Sequence, residues 1–289
     1  MKPEGPGIQG CRGTPPMTRS TDRFALWALL PLAIFSAAFL LLPLAQLVRA
    51  SVTGASGWSL YVSILTTPRY LIALRDTVLV SAATAAAALA ISTTAALFLA
   101  RHRFWGRSLL LGLLTFPLAF PGVVVGFLVI LMGGRQGLVT ALAREALDVR
   151  LVFAYSMAGL FLGYLYFSIP RVLLTVMAAA EKIDPALEEA ARTLGAGPVS
   201  VLRDITLPAI MPALVASGAI AFATAMGAFG TAFTLATNIT VLPMVIYTEF
   251  TLAANIATAA ALSVVLGLVT WALLLLARSF AGIAVGGGG

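Results

Sequence analysis

Charged residues are scarce in this sequence. Only 10% of the 289 residues are charged, 60% are hydrophobic, and the mean hydropathy is +1.01. A soluble domain carries about a quarter charged residues, because its surface must be wetted. The chain has too little charge to cover a water-facing surface. This excludes a soluble globular domain and indicates that most of the outside faces a lipid bilayer.

Cysteine, histidine and lysine are nearly absent as well. Cys11 is the only cysteine, which excludes a disulfide framework and a thiolate metal site, and the residues before it lack the apolar core of a lipoprotein signal. His102 has no partners nearby for catalysis, so we expect no catalytic residue, metal or cofactor. Lys2 and Lys182 are the only lysines, and neither lies in a phosphate-binding Gly-x-x-x-x-Gly-Lys-[Ser/Thr] loop. The chain alone is therefore not expected to hydrolyse ATP.

The sequence consists mainly of long apolar runs. A spanning helix needs roughly 20 apolar residues, and six stretches of the chain qualify. We predict an all-α integral membrane protein with spans at Ala25–Val48, Thr77–Ala100, Ser108–Met132, Leu151–Ala178, Ala209–Ala236 and Ala257–Ala277. Prolines within the third, fourth and fifth spans predict kinks.

The basic residues predict the orientation of these spans. If the spans alternate, one side of the membrane receives eleven Lys or Arg residues and the other receives six. The positive-inside rule then places both termini in the cytoplasm. The net charge of +7 is spread in short clusters between apolar runs, which is typical of membrane orientation and does not indicate nucleic-acid binding.

The predicted organisation is a cytoplasmic tail at 1–24, a membrane domain at 25–278 and a short tail at 279–289. The first sixteen residues lack apolar periodicity and are predicted to be disordered. Met17 begins a conventional short basic lead into the first span, so translation is hypothesised to start there.

The link at 181–208, between the fourth and fifth spans, is more ordered than a simple loop requires. Asp184 is a candidate N-cap, and Pro185 suits a first helical position. Glu188 and Glu189 lie near the positive end of the predicted helix, and Gly195 can end it. We therefore predict two short helices joined by a turn, with a small and apolar face suited to a groove on another protein.

At fixed spacing this link contains Glu189-Ala190-Ala191, then Gly195, then Ile205-x-Leu207-Pro208. The pattern matches the EAA signature at each fixed position. The chain, from about Leu26 to Ala277, thus resembles the permease subunits of ATP-binding-cassette importers. It fits the branch that includes polyamine, ferric-iron, sulfate, molybdate and phosphonate permeases.

The resemblance implies several partners and a location. In the family this link forms a coupling helix that docks on a dimer of ATP-binding subunits. The residues carried over to that role are Asp184, Glu188, Glu189, Ala190, Ala191, Gly195, Ile205, Leu207 and Pro208. It also implies a second permease subunit, identical or paralogous, a periplasmic or extracellular solute-binding protein, and the bacterial inner membrane as the location.

Arg171 is the only charge within the predicted spans. An intramembrane charge is a hypothesis of function by default, so Arg171, with Phe229 and Gly230, is a candidate for the substrate path. The alternative is an arginine that snorkels to the cytoplasmic interface. Relatives often carry an acid before Phe229-Gly230, where this chain has Ala228. An anion or zwitterion such as a phosphonate is therefore favoured over a polyamine or ferric iron.

An ion-coupled secondary transporter is the alternative function. That class usually shows an inverted repeat and intramembrane acids, and neither is visible in this sequence.

Overall fold

The computed structural model describes residues 29–54, 57–235 and 239–286. The predicted tail at 1–24, with Cys11 and Met17, lies outside these residues. The described part is helical and contains no strand. Its helices are α1 (Leu29–Val52), α2 (Ser59–Thr66), α3 (Pro68–Arg101), α4 (Arg107–Thr115), α5 (Gly122–Gly133), α6 (Leu138–Leu147), α7 (Met157–Ala180), α8 (Pro185–Thr193), α9 (Pro198–Met226), α10 (Gly230–Leu235), α11 (Leu242–Thr251) and α12 (Ile256–Gly286).

The chain forms two units, residues 1–49 and 50–289. In the first, α1 contains a π-helical turn at Ala37–Leu41. Pro43 follows this turn and has no N–H to donate to Phe39, so a regular α-helical bond is missing there. The helix accommodates the missing bond by widening into a π-helical turn, in which the N–H of Leu42 donates to the carbonyl of Ala37.

Six helical segments in the described residues are long and apolar enough to cross a membrane, which confirms the predicted number. The second begins at Pro68 and not at Thr77, since Pro68 occupies the first turn of α3 after an extended Thr67. The fourth begins at Met157 and not at Leu151. Residues 151–153 are not helical, and the N–H of Phe153 donates to the carbonyl of Gly133.

The third predicted span, Ser108–Met132, is interrupted at Pro117 and Pro121, where prolines had predicted a kink. Helix α4 passes into a 3₁₀ turn at Phe116–Ala119, and α5 starts only at Gly122. Phe120 and Pro121 are extended. Pro117 and Pro121 each lack a backbone donor, and Pro121 disfavours the helical region for Phe120, the residue before it.

Helices α4 and α5 nevertheless run together antiparallel to α7. At one end the guanidinium of Arg107 donates to the carboxylate of Glu181 (2.7 Å). At the other end the N–H of Phe153 donates to the carbonyl of Gly133 (3.0 Å). Composition alone marks Gly122–Leu147 as one candidate span. However, the chain leaves α5 at Gly133 and returns there at Phe153, so α6 belongs to an excursion at the end of the span.

The fifth span also differs from its predicted course. Helix α9 ends at Met226, and after Gly227–Phe229 the short α10 begins at Gly230. The predicted end, Ala236, lies outside the described residues. The hydroxyl of the buried Tyr164 donates to the carbonyl of Ala228 (2.7 Å). This bond satisfies a backbone group that the helix break would otherwise leave unpaired inside a membrane.

Helices α3, α7 and α9 pack against one another and form the largest apolar cluster. Small residues let the backbones approach closely, as is usual where lipid provides no hydrophobic drive for helix association. Ala88, Ala96 and Ala180 are fully buried, and the hydroxyl of Ser92 donates across the α3–α7 contact to the carbonyl of Ile169 (3.0 Å).

Candidate functional site

Helix α8 has a well-defined start and end. The side chain of Asp184 accepts a hydrogen bond from the N–H of Ala186 (2.9 Å), and Pro185 takes the first turn. Gly195 lies just beyond the last turn with φ +84°, in the left-handed region that favours glycine. A second helical segment, the start of α9, follows at Pro198. The first short helix predicted for the link is present, but the second is not separate: it continues through a π-helical turn into the fifth span, which therefore begins at Pro198 and not at Ala209.

The outer surface of this link carries exposed apolar side chains. Leu194 is 90% exposed and Val199 is 75% exposed, and Leu187 is also exposed. Ala190 is exposed beside them, while Ala191 is half-buried. Isolated apolar side chains on a surface are normal. Here Leu187, Leu194 and Val199 all lie within the capped link, which makes the link a candidate docking surface.

The two adjacent acids of α8 have different surroundings. Glu188 is half-buried and forms an ion pair with Arg101, at the end of α3. The hydroxyl of Thr206 donates to the same carboxylate oxygen (3.2 Å). Glu189 is exposed, and no ion pair or side-chain hydrogen bond joins it to another described residue. Neither Arg101 nor Thr206 was predicted as a site residue.

The last part of the motif forms the beginning of the fifth span. Ile205 lies in a π-helical turn at Leu202–Thr206, where the N–H of Leu207 donates to the carbonyl of Leu202. Pro208 follows and cannot donate to the carbonyl of Asp204, which accounts for the wider turn. Ile205 and Leu207 are half-buried, whereas Pro208 is exposed. The motif residues of α8 and of α9 are therefore joined by one irregular helical turn.

A polar cleft of ≈ 280 Å³ lies between α7, the α4–α5 break and the α9–α10 break. Arg171 and Gly230 both line it, and the guanidinium of Arg171 donates to the hydroxyl of Thr224 (3.1 Å). Arg171 is nine residues before the end of α7 at Ala180, or roughly 14 Å along the helix axis. Within the described ranges no carboxylate lies at ion-pair distance from it, so its charge faces the cleft uncompensated.

Phe229 is not in that cleft. Its ring packs against Phe233 and Tyr247, with centroids 5.3 and 5.1 Å away, and lines an apolar cavity on the α11 side. Gly230 lies at a close helix contact, since a Cβ there would come within 2.9 Å of the backbone nitrogen of Val123. Of the three residues predicted for the path, the structure brings Arg171 and Gly230 together.

A buried carboxylate at the opposite end of α3 was also not predicted. Glu249 on α11 is 7% exposed, and the guanidinium of Arg69 lies 3.4 Å from it. The hydroxyl of Tyr70 donates to the same oxygen (3.2 Å). This cluster ties α11 to the start of α3.

The described fold, with six helical segments able to cross a membrane, is that of a multi-pass membrane protein. Residues 88–285 match the family described as the binding-protein-dependent transport system inner membrane component, and the chain belongs to this family. It is therefore a multi-pass membrane protein of the ATP-binding-cassette permease type, as predicted.

Particular relatives agree with that assignment. The molybdenum transport system permease protein ModB of Escherichia coli K12 is 38% identical over 141 residues, which cover 49% of this chain and 61% of ModB. The sulfate transport system permease protein CysT of Salmonella typhimurium is 32% identical over 206 residues, 71% of this chain and 73% of CysT. The putative 2-aminoethylphosphonate transport system permease protein PhnU of that organism is 30% identical over 268 residues, 89% of this chain and 93% of PhnU.

A solved structure shows the same fold. A chain from the crystal structure of a bacterial alginate ABC transporter, in complex with an alginate pentasaccharide-bound periplasmic protein, superposes with a TM-score of 0.76 at 20% identity. The match covers 92% of this chain and 96% of that one.

Proposed function

We propose that this chain is the permease subunit of an ATP-driven importer for a small oxyanion. The observation that carries the proposal is the link at 181–208. Its helix α8 is capped and carries one ion pair, from Glu188 to Arg101, on its inner side. Exposed apolar side chains lie on its outer side and on the turn that follows. Such a surface is suited to a partner that pushes or pulls on the membrane helices.

The partners follow from what the chain lacks. It has no phosphate-binding loop of the ATPase type in its sequence, so ATP hydrolysis belongs to a separate pair of ATP-binding subunits. A pair offers two docking sites, and this chain supplies one docking link. A second permease subunit, identical or paralogous, completes the transporter, and a solute-binding protein delivers the substrate. The distribution of the basic residues favours a cytoplasmic position for the link and both termini.

An oxyanion is favoured by two independent features. The relatives are named for molybdenum, sulfate and 2-aminoethylphosphonate transport. Arg171 presents an uncompensated guanidinium to the cleft. A guanidinium carries several donors in a planar fork that fits the oxygens of sulfate-like and phosphate-like groups.

The proposal is tested by co-expressing the tagged chain with the ATP-binding and solute-binding proteins encoded beside it. The complex, reconstituted in proteoliposomes, should take up one of molybdate, sulfate or 2-aminoethylphosphonate in an ATP-dependent manner. Uptake of a polyamine or ferric iron, with none of the three anions transported, would refute the oxyanion assignment. Failure of the chain to retain any ATP-binding subunit would refute the permease role itself.

Arg171→Ala should slow uptake of the transported anion by roughly tenfold or more, the rate equivalent of about 1.4 kcal/mol. The physical reason is the loss of the cation that faces the cleft. Uptake is measured for Ala, Lys and Gln at position 171 with membrane levels matched, and Thr224→Val serves as a control that removes only the hydroxyl partner. If all three substitutions at 171 transport like the parent, Arg171 is an interface anchor and the anion preference loses its structural support.

A further inference from the structure

The carboxylate of Glu188 lies where three helices meet. It extends from α8, pairs with Arg101 at the end of α3, and accepts a hydrogen bond from Thr206 in the π-helical turn of α9. The side chains of Glu188 and Arg101 are only 14% and 27% exposed. This acid therefore faces the membrane helices and is turned away from any partner that approaches α8 from outside.

Glu189 faces the other way. Consecutive residues on a helix point about 100° apart, so Glu189 points away from the side on which Glu188 meets Arg101. Glu189 is exposed, together with Leu194 and Leu187 on the same outer surface. The link thus has an inner acid that contacts its own chain and an outer acid available to another protein.

A second ion pair supports the same end of the bundle. Arg107, at the start of α4, donates to Glu181 (2.7 Å), directly after α7. Its Nε also donates to the carbonyl of Leu99 on α3 (3.0 Å). Arg101 and Arg107 are two of the three arginines in the basic turn at 101–107, between α3 and α4. They attach both ends of the segment from Glu181 to Glu188 to the end of α3, and α3 packs directly on α7 and α9.

We propose that Glu188 and Arg101 are positioning residues, which transmit movement of α8 to the packed helices α3 and α9, and that Glu188 is not a contact for the ATP-binding subunit. This inference rests on the proposed function and divides the predicted coupling residues into two groups. Glu189 and the exposed leucines bind the partner, whereas Glu188 converts the partner's movement into movement of the spans. Without the ion pair, α8 can be displaced while α3 stays in place.

The test measures uptake and ATP hydrolysis in the same reconstituted complex. In Glu188→Gln and Arg101→Gln, retention of the ATP-binding subunit and ATP hydrolysis should stay near the parent level, while uptake per ATP should fall about tenfold, within the usual range of coupling between sites. The exchanged pair, Arg101→Glu with Glu188→Arg, should recover most of the lost uptake. Arg103→Gln is the matched control, because Arg103 lies in the same basic turn and is exposed.

Three results would overturn the inference. Loss of the ATP-binding subunit from Glu188→Gln would make Glu188 a binding contact. Parent-like uptake per ATP in both single variants would show that the pair transmits nothing. Two impaired single variants without recovery in the exchanged pair would show that the ion pair is not the cause. Absence of the ATP-binding subunit from the parent complex would instead refute the proposed function, so the two failures are distinguishable.

Discussion

Glu189→Lys should abolish uptake and leave the chain folded in the membrane. Glu189 is exposed, and no other described side chain pairs with it, so reversing its charge removes no internal contact.

Gly195→Asp should also abolish uptake, for a different physical reason. A side chain at position 195 would have space, since no atom lies within 4 Å of where its Cβ would be. However, the φ of +84° is one that residues other than glycine rarely adopt, so the substitution strains the backbone at a cost of about 1–2 kcal/mol. The new carboxylate would also add charge to the outer surface of the link.

Uptake, ATP hydrolysis and retention of the ATP-binding subunit are measured for both variants at matched membrane levels. Glu145→Lys is the control, since Glu145 is an exposed acid on α6, at the opposite end of α5–α7. Normal uptake by either coupling-link variant would contradict the docking role of α8. An equal loss in the control would show that any charge reversal on the chain is harmful.

Gly126→Val should sharply reduce the amount of folded protein. Gly126 on α5 is buried against α10, and a Cβ there would lie 2.6 Å from the Cβ of Thr234. Thr234 cannot easily move away, because its hydroxyl lies 2.9 Å from the carbonyl of Gly230 and 3.2 Å from that of Val123. Overpacking of this kind costs about 1–3 kcal/mol, and 1–2 kcal/mol changes the ratio of folded to unfolded protein roughly 5–30-fold.

The measurement is the melting temperature of the purified chain in detergent, together with its membrane level. Gly267→Val is the matched control, because Gly267 on α12 has open space where its Cβ would lie. Thr234→Gly in the same chain should relieve the clash and restore part of the lost stability. A stable Gly126→Val protein would show that α5 and α10 separate easily.

The sequence predicts the spans well, because about 20 apolar residues in a row have few other places to go. The ends of the helices were less predictable. The predicted span starts at Thr77, directly after Arg75 and Asp76, yet α3 begins at Pro68. The exposed Arg75 pairs with its half-buried neighbour Asp76 (2.8 Å). A helix continues into water as readily as into lipid if its charged side chains are solvated, so hydropathy marks the apolar core of a span and not the helix.

The candidate site could also be predicted only in part from the sequence. Asp184, Gly195 and the motif between them are local in sequence, so their caps and turns could be predicted. Arg101 is 87 residues away from Glu188 along the chain, and no spacing rule connects them. The inward direction of Glu188 is set by how α8 is attached to α3, which only the packed structure reveals.

The broken third span has a consequence for how the protein is made. Helix α4 with its 3₁₀ turn, Arg107–Ala119, and helix α5, Gly122–Gly133, have thirteen and twelve residues, so each reaches only about 18–20 Å along its axis. The hydrocarbon layer is about 30 Å thick, and the extended Phe120–Pro121 leaves polar backbone at mid-depth. Neither half is a stable insertion unit for the translocon. We therefore expect this segment to integrate late, when α7 has emerged from the ribosome and can shield the break, so that biogenesis proceeds by pairs of helices and not strictly one span at a time.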